Sequence, residues 1–384
     1  MIPYSTQDIT EADLAAVRET LTSGWLTQGP AVPRFEAAFA AAHGAEHAVA
    51  VSSATAALHI ACLAFGIGPG SRVWTSPNSF VASANCALYC GARVDFVDID
   101  PQTRNLSVAA LEHKLAATPA ELRPQLLVPV DFAGLPCDLA PLRALADRYG
   151  FRILEDASHA VGARYQGAPV GSRYADASVF SFHPVKIITT AEGGLITTRD
   201  AKLAEKLRLL RTHGITRDPA LMEHASEGAW CYEQVTLGFN YRMTDVQAAL
   251  GTSQLQRLQE AAAARRALVS NYSRLLAGLP LKLPVEPADR ESAWHLYVVE
   301  IDATRCAVSR AQVFARLREA GIGVNVHYIP IHLQPYYRRL GFSPGQFPAS
   351  EAYYANALSL PLFPRLTLAQ QEEVTAALRG ALTA

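Results

Sequence analysis

Lys186 stands in the stretch Ser181-Phe182-His183-Pro184-Val185-Lys186-Ile187-Ile188-Thr189-Thr190-Ala191-Glu192-Gly193-Gly194. The apolar run Ala177–Phe182 enters it and the β-prone run Leu195–Thr198 leaves it, so one amine is placed between two expected strands. A lone lysine in a loop is ordinarily a solvated surface group, and partners elsewhere decide whether this one has chemistry. Two other stretches offer partners. Ser52-Ser53-Ala54-Thr55-Ala56-Ala57 follows a short apolar run and opens an expected helix. Its small residues, free N–H groups and the hydroxyls of Ser53 and Thr55 suit a phosphate, or simply cap the helix. Glu155-Asp156-Ala157-Ser158-His159 follows an apolar strand. An acid there points into the crevice beyond the strand ends of an α/β sheet, or caps the next turn. His159 alone reads as an interior histidine.

Taken together, a phosphate cradle, a carboxylate and a lysine on three strand ends are the parts that hold pyridoxal phosphate. The amine joins the cofactor aldehyde, the carboxylate pairs with the protonated pyridine nitrogen, and the cradle anchors the phosphate. A cationic ring beside the amine lowers its pKa, which suits a nucleophile that also carries protons.

The elements that must position these residues follow from the pattern along the chain. Ala48–Val51, Val73–Thr75, Val94–Val97, Leu126–Val130 and Arg152–Leu154 read as short strands, each separated from the next by a helical or turn segment. That alternation predicts an α/β fold with a mainly parallel sheet between helices. Thr10-Glu11-Ala12-Asp13 reads as a capped helix start. From residue 245 the character changes: one long helical stretch over Val246–Leu275, strands at Leu281–Leu283 and His295–Ile301, a capped helix over Ser309–Ala320, a strand over Val324–His327, and a last helix over Leu366–Leu382. The expected organisation is a large cofactor-binding domain, 1–245, and a smaller C-terminal α+β domain, 246–384.

Composition narrows the function classes. Of 384 residues half are hydrophobic and 18% are charged, with a formal net charge of −1. No basic stripe or run of like charge offers a nucleic-acid surface. No apolar stretch is long enough to span a bilayer, and Met1-Ile2-Pro3-Tyr4-Ser5 lacks the features of a signal peptide, so a cytoplasmic location is expected. Six scattered cysteines fit a reducing compartment. Cys86 and Cys90 lie one helical turn apart, yet in an Ala-rich helix they read as buried thiols, and His327 and His332 lack a third ligand; no metal site is expected.

Six motifs carry a resemblance. They are Gly24-Trp25-Leu26-Thr27-Gln28-Gly29-Pro30, Ser52-Ser53-Ala54-Thr55-Ala56-Ala57-Leu58, Glu155-Asp156-Ala157-Ser158-His159-Ala160, Ser181–Lys186 with Ala191–Gly194, Gly238-Phe239-Asn240-Tyr241-Arg242, and His327-Tyr328-Ile329-Pro330. On them the chain resembles, almost end to end, the sugar aminotransferases of the DegT/DnrJ/StrS type, which are fold-type I pyridoxal-phosphate enzymes. The resemblance implies Lys186 as the Schiff-base lysine and Asp156 as the pyridine-nitrogen partner. It implies Ala54, Thr55 and Ser181 at the phosphate, Phe80 stacked on the ring, and His159 near its phenolic edge. It implies Asn240 reaching the cofactor phosphate of a neighbouring subunit, hence a homodimer. A dehydratase branch carries histidine where Lys186 stands, so transamination is expected.

Within the family the chain is similar to the pseudaminic-acid branch, on Ile2-Pro3-Tyr4-Ser5, Val73–Pro77 with Ser79–Asn85, and His327-Tyr328-Ile329-Pro330-Ile331-His332. Asp131 departs from the histidine common in the wider family. That branch implies transfer of the amino group of L-glutamate to C4 of UDP-2-acetamido-2,6-dideoxy-β-L-arabino-hexos-4-ulose. It implies Tyr4, Gly24, Trp25, Leu26, Thr27, His327, Tyr328, Ile329 and Pro330 on the sugar side. The alternatives are a sibling acting on a UDP-4-keto-pentose or a GDP- or dTDP-linked 4-keto-6-deoxyhexose, and, from another class, a cofactor-binding regulator without turnover.

Overall fold

In the computed structural model, residues 1–224 and 228–383 are described. A seven-stranded sheet dominates. Its strands are β1 (His47–Val51), β2 (Arg72–Thr75), β3 (Arg93–Phe96), β4 (Leu126–Val128), β5 (Arg152–Asp156), β6 (Ala177–Ser181) and β7 (Gly194–Thr198). The order is β1-β7-β6-β5-β4-β2-β3; β7 runs antiparallel to both neighbours and the other pairs are parallel. The mainly parallel α/β sheet predicted from the alternation is thus present. Helices on both faces explain why its central strands read as continuous apolar runs. In β6, Val179 joins the core beneath the helix Ala54–Ala64, while Phe180 joins Phe39 and Phe182 on the opposite face. Each such side chain contributes about 1.5–3 kcal/mol by leaving water.

The N-terminal helix Glu11–Thr22 starts at Thr10, whose N–H donates to the Asp13 carboxylate at 2.9 Å. The long helical stretch expected over 246–275 is two helices, Asp245–Gln256 and Leu258–Leu275, which meet at Arg257 in a non-helical conformation. The first packs on Glu11–Thr22 and Ala31–His43, the second on the terminal helix Leu368–Thr383. Different partners for the two halves account for the break, which helical periodicity does not reveal.

A three-stranded antiparallel sheet lies beyond, with Tyr297–Ile301 between Leu281–Lys282 and Ala357–Leu360. Leu281–Lys282 is an edge strand, as its flanking prolines require. The strand expected over Val324–His327 does not form; only Asn325 bridges to Ser359. Gly323 N–H is taken by Ile2 O, and the His327 ring turns to the Ser359 hydroxyl at 2.7 Å. Competing partners from the N-terminus therefore break up the ladder. Ile2 packs into the apolar core of this region, so the chain's first residues lie against its last.

Candidate active site

The carboxyl ends of β1, β5 and β6 and the start of β7 converge on one cleft. The helix Ala54–Ala64 begins there, with the Ser53 hydroxyl accepting from Ala56 N–H at 3.1 Å. Its first two N–H groups, Ala54 and Thr55, have no acceptor among the described residues. Gly194 pairs with Val51 on one side and Ser181 on the other. A Cβ on Gly194 would lie 2.5 Å from Ala54 N and from the Ser53 carbonyl. Only glycine lets the strand approach the helix start this closely. The outcome is a concave backbone nest flanked by Ser181, with unspent donors at a helix N-terminus: the donor set a phosphate takes.

Asp156 ends β5 and is buried. Ser83 Oγ–H donates to its Oδ2 at 2.6 Å, and Ser158 N–H to its Oδ1 at 3.2 Å. Ser79 and Ser83, one helical turn apart, stand 2.7 Å from each other. This hydroxyl pair holds the carboxylate in one orientation; bonds to a charged acceptor contribute about 1.5–3 kcal/mol each.

Lys186 lies in the turn after β6, its N–H bonded to His183 O at 2.9 Å. Thr189 and Thr190 both bond back to Phe182 O and pin that turn, and Ser5 Oγ–H reaches Val185 O at 3.3 Å. The side chain is half-buried, and desolvation lowers its pKa to about 8, with Asp156 pulling the other way. A neutral amine is thereby populated near neutral pH, beside a carboxylate that keeps the protonated form within reach.

A third wall is aromatic. His159 is buried, 6.3 Å (centroid to centroid) from Tyr328 and 4.4 Å from His295. Phe80 lies 6.3 Å from the Tyr328 ring, and Tyr4 5.8 Å from His327. Burial, and after it the charge of Lys186, lowers the pKa of His327 to about 4. Burial also leads the lowering of His159 and His295 well below the ordinary histidine value. Burial raises the Tyr328 hydroxyl above the usual tyrosine value. This wall therefore consists of neutral groups.

Of the expected residues, Ala54, Thr55 and Ser181 meet at the nest, Asp156 and Lys186 stand together, and Tyr4, Phe80, His159, His327 and Tyr328 form the aromatic wall. Ile329 is 45% exposed beside buried Pro330. Gly24–Thr27 lies on the surface: Trp25 is 57% exposed, and Leu26 O accepts from Asp245 N–H. Asn240 is exposed, its backbone bridging to Thr212. Neither Gly24–Thr27 nor Asn240 makes a hydrogen bond or ring contact to the cleft among the described residues.

Sequence reasoning passes over Ser83, His295 and the role of Asp131. A serine one turn after another serine, opening a helix, is a usable signal for Ser83; for the other two no local pattern exists. The described residues contain no three-residue His/Cys/Asp/Glu group able to hold a metal, and no helix long and apolar enough to cross a membrane.

Behind Asp156, fully buried Asp131 and Glu155 hydrogen-bond each other. Cys137 N–H donates to Asp131 Oδ1 at 2.8 Å, and Ser178 Oγ–H to Glu155 Oε2 at 2.5 Å. Two touching buried carboxyls must retain a proton. Burial first, then the Glu155 charge, raises Asp131; burial raises Glu155 to about 7, opposed by the Ser178 hydroxyl. The folded chain then binds more protons than the unfolded one from the ordinary carboxylate range up to about pH 7, so this pair's contribution falls as pH rises through that window. Asp131→Asn removes the raised Asp131 carboxyl and keeps a donor facing Glu155, whose own shift comes first from burial. Relative to that variant, wild type is expected to lose stability between about pH 5 and pH 8, as the raised Asp131 carboxyl gives up its excess proton. Urea unfolding of both proteins across that range measures it. The difference cancels the opposite slope of the buried histidines, and parallel curves would refute the shared proton.

Fold and cleft together define an aminotransferase of the pyridoxal-phosphate type, and comparison with known proteins agrees. Residues 7–379 match the DegT/DnrJ/EryC1/StrS aminotransferase family. The chain is 42% identical over 381 residues to the spore coat polysaccharide biosynthesis protein SpsC of Bacillus subtilis, covering 98% of this chain and 96% of that one. It superposes on the putative sugar aminotransferase Spr1654 of Streptococcus pneumoniae, solved in its PMP form, with a TM-score of 0.92, at 30% identity and 99% coverage of both chains. It superposes on Helicobacter pylori PseC, an aminotransferase involved in the biosynthesis of pseudoaminic acid, with a TM-score of 0.90, again at 30% identity and 99% coverage of both. The chain belongs to the DegT/DnrJ/EryC1/StrS aminotransferase family, and is a pyridoxal-phosphate-dependent sugar aminotransferase.

Proposed function

We propose that the protein transfers the amino group of L-glutamate to C4 of UDP-2-acetamido-2,6-dideoxy-β-L-arabino-hexos-4-ulose, giving UDP-4-amino-4,6-dideoxy-N-acetyl-β-L-altrosamine and 2-oxoglutarate, a step of pseudaminic acid biosynthesis. The observation carrying the chemistry is the half-buried Lys186, lowered to about 8 and acted on by the Asp156 carboxylate, in the turn after the strand whose end, Ser181, flanks the unspent N–H nest. Support for the sugar comes from the Tyr4 and His327–His332 cues and from the likeness to PseC.

When bound, pyridoxal phosphate supplies an electron sink for the carbon beside the transferred nitrogen. In this reading Ala54 and Thr55 N–H and Ser181 would hold the phosphate, Asp156 would hold the pyridine nitrogen protonated, Phe80 would stack on the ring and His159 would lie near its phenolic edge. Lys186 is the covalent attachment point. With pyridoxal phosphate bound, the free Lys186 amine would be the base that takes the proton from the glutamate α-carbon and the acid that gives it back. The same amine works in reverse on the keto sugar. Tyr4 and His327–Pro330 line the sugar side, and Gly24–Thr27, exposed on the surface of this chain, is assigned to it by the family resemblance alone. Asn240 of the partner subunit completes the phosphate site in a homodimer, a role consistent with its exposure and with exposed Trp25, Leu26, Trp230 and Leu237. The reading places the enzyme in the cytoplasm and divides the chain into a cofactor domain, 1–245, and a smaller domain, 246–384.

A second reading, another nucleotide-linked 4-keto sugar, is favoured by the higher identity to SpsC, a spore coat polysaccharide protein. Purified enzyme with L-glutamate and a panel of UDP-, GDP- and dTDP-linked 4-keto sugars separates the two. The arabino-4-ulose is expected to give the highest kcat/KM; preference for another sugar by tenfold or more overturns the first reading in favour of the second.

A further inference from the structure

We propose that His159 is a positioning residue that fixes Tyr328 as a neutral hydrogen-bond donor to the carbonyl oxygen of the keto substrate. The inference deepens the aminotransferase reading and rests on it.

The direction of each bond follows from one backbone amide. Ala133 N–H donates to His159 Nδ1 at 3.3 Å. A backbone amide can only donate, so Nδ1 carries the lone pair and the ring's proton sits on Nε2. His159 Nε2 lies 3.3 Å from Tyr328 Oη, across 169 residues of chain. Nε2–H is therefore the donor and Oη the acceptor. The tyrosine's own proton is left over, and no acceptor for it exists among the described residues. It points into the cleft shared with Lys186 and Asp156, whose charges act on His159 and Tyr328 respectively.

The backbone is shaped for this purpose. Asp131-Phe132-Ala133-Gly134 forms a tight turn in which Ala133 takes φ 59°. A left-handed conformation costs a non-glycine residue about 1–2 kcal/mol. Gly134, at φ 99°, lies so close to the 294–295 backbone that a Cβ would meet Trp294 N at 2.8 Å and His295 N at 2.9 Å, with His159 O at 3.0 Å. Phe132 N–H is fixed by Asn105 Oδ1 at 2.9 Å, and Asp131 Oδ1 accepts from Cys137 N–H across the same turn. The strained turn is thus braced from three sides, and its product is one N–H aimed at His159.

The acceptor's class follows from charge. His159, His295 and His327 are held neutral by burial, and Tyr328 is held protonated. A wall of neutral donors is poorly matched to a carboxylate and well matched to a carbonyl oxygen, on which charge develops as nitrogen adds. No proton needs to leave Tyr328: the hydrogen bond strengthens, and His159 Nε2–H steadies the oxygen that donates it.

The test has two arms. Nitrogen-15 NMR of histidine-labelled protein without cofactor, with His159 assigned by its loss in His159→Gln, reads the tautomer directly. A neutral ring protonated on Nε2 from about pH 5 to pH 8 is expected; a ring protonated on Nδ1, or an imidazolium within that range, overturns the proposal. The second arm follows the spectrum of the aminated enzyme as it reacts with 2-oxoglutarate, which does not depend on the sugar. Tyr328→Phe is expected to slow this half-reaction about 10²-fold. His159→Phe is expected to slow it by less, and to add no more than about twofold in the Tyr328→Phe background, since it acts only through that hydroxyl. Additive losses would mean that His159 acts on its own and would overturn the proposal. If the sugar assignment fails, the panel assay shows it while both arms remain readable.

Discussion

Lys186→Ala is expected to abolish both the visible absorbance of lysine-linked cofactor and amino transfer, with kcat falling by about 10⁴-fold or more. The size of the effect comes from the double duty of one amine. In the proposed reading it would be the covalent attachment point for the cofactor and also the base that takes the donor's α-proton. Among the described residues no second amine stands beside Asp156; of the neighbouring imidazoles, His159 is committed at both ring nitrogens, His327 is bonded to Ser359 through Nδ1, and His295 lies buried against His159. Lys186→Arg provides the charge control. A guanidinium keeps the cation but stays protonated at working pH, so it too is expected to be inactive. The apo form of Lys186→Ala is expected to melt no lower than wild type, because the substitution removes a partly desolvated ammonium rather than an apolar anchor. Visible spectra and single-turnover assays with L-glutamate measure the effect. Retained turnover in Lys186→Ala would remove Lys186 from the chemistry.

Asp156→Asn is expected to lower transfer by about 10³-fold and to weaken cofactor binding, while leaving the fold intact. The amide keeps the shape that Ser83 and Ser158 hold, so the loss measures charge rather than packing. Without the carboxylate, nothing among the described residues favours a protonated ring nitrogen at that position, and the electron sink is weakened. A second readout is independent of turnover. Asp156 opposes the desolvation of Lys186, so the substitution is expected to move the lysine's titration further below about 8. Equilibrium binding of pyridoxal phosphate to the apo protein and the pH dependence of its rate of binding give both numbers. Wild-type rates with an unmoved titration would refute the role.

Lys186 and Asp156 are legible in the sequence because strand ends are marked locally, by an apolar run followed by a polar residue or glycine. The Ser53 start of the third helix is legible for the same reason. The hydroxyl that holds Asp156 is not: it lies 73 residues away in Ser83, and no period or motif connects the two. The break at Arg257 is hidden because each half keeps helical character and only its packing partner changes. The strand Ala357–Leu360 goes unpredicted, while Val324–His327 reads as a strand and does not pair as one. Pairing depends on which segment arrives alongside, and that choice is made by distant residues.

The sequence by itself determined the alternation of strands and helices, the placement of an amine, an acid and a helix start at strand ends, and through them the class of chemistry. Those features arise from interactions within a few residues, where capping, alternation and turn preference act. Only the tertiary structure decided that Ala133 N–H meets His159, that His159 meets Tyr328, and that Asp131 touches Glu155. These are contacts between distant parts of the chain. The sheet order and the turn at 131–134 bring their ends within hydrogen-bond reach, and burial then leaves each polar group only the partner the fold supplies.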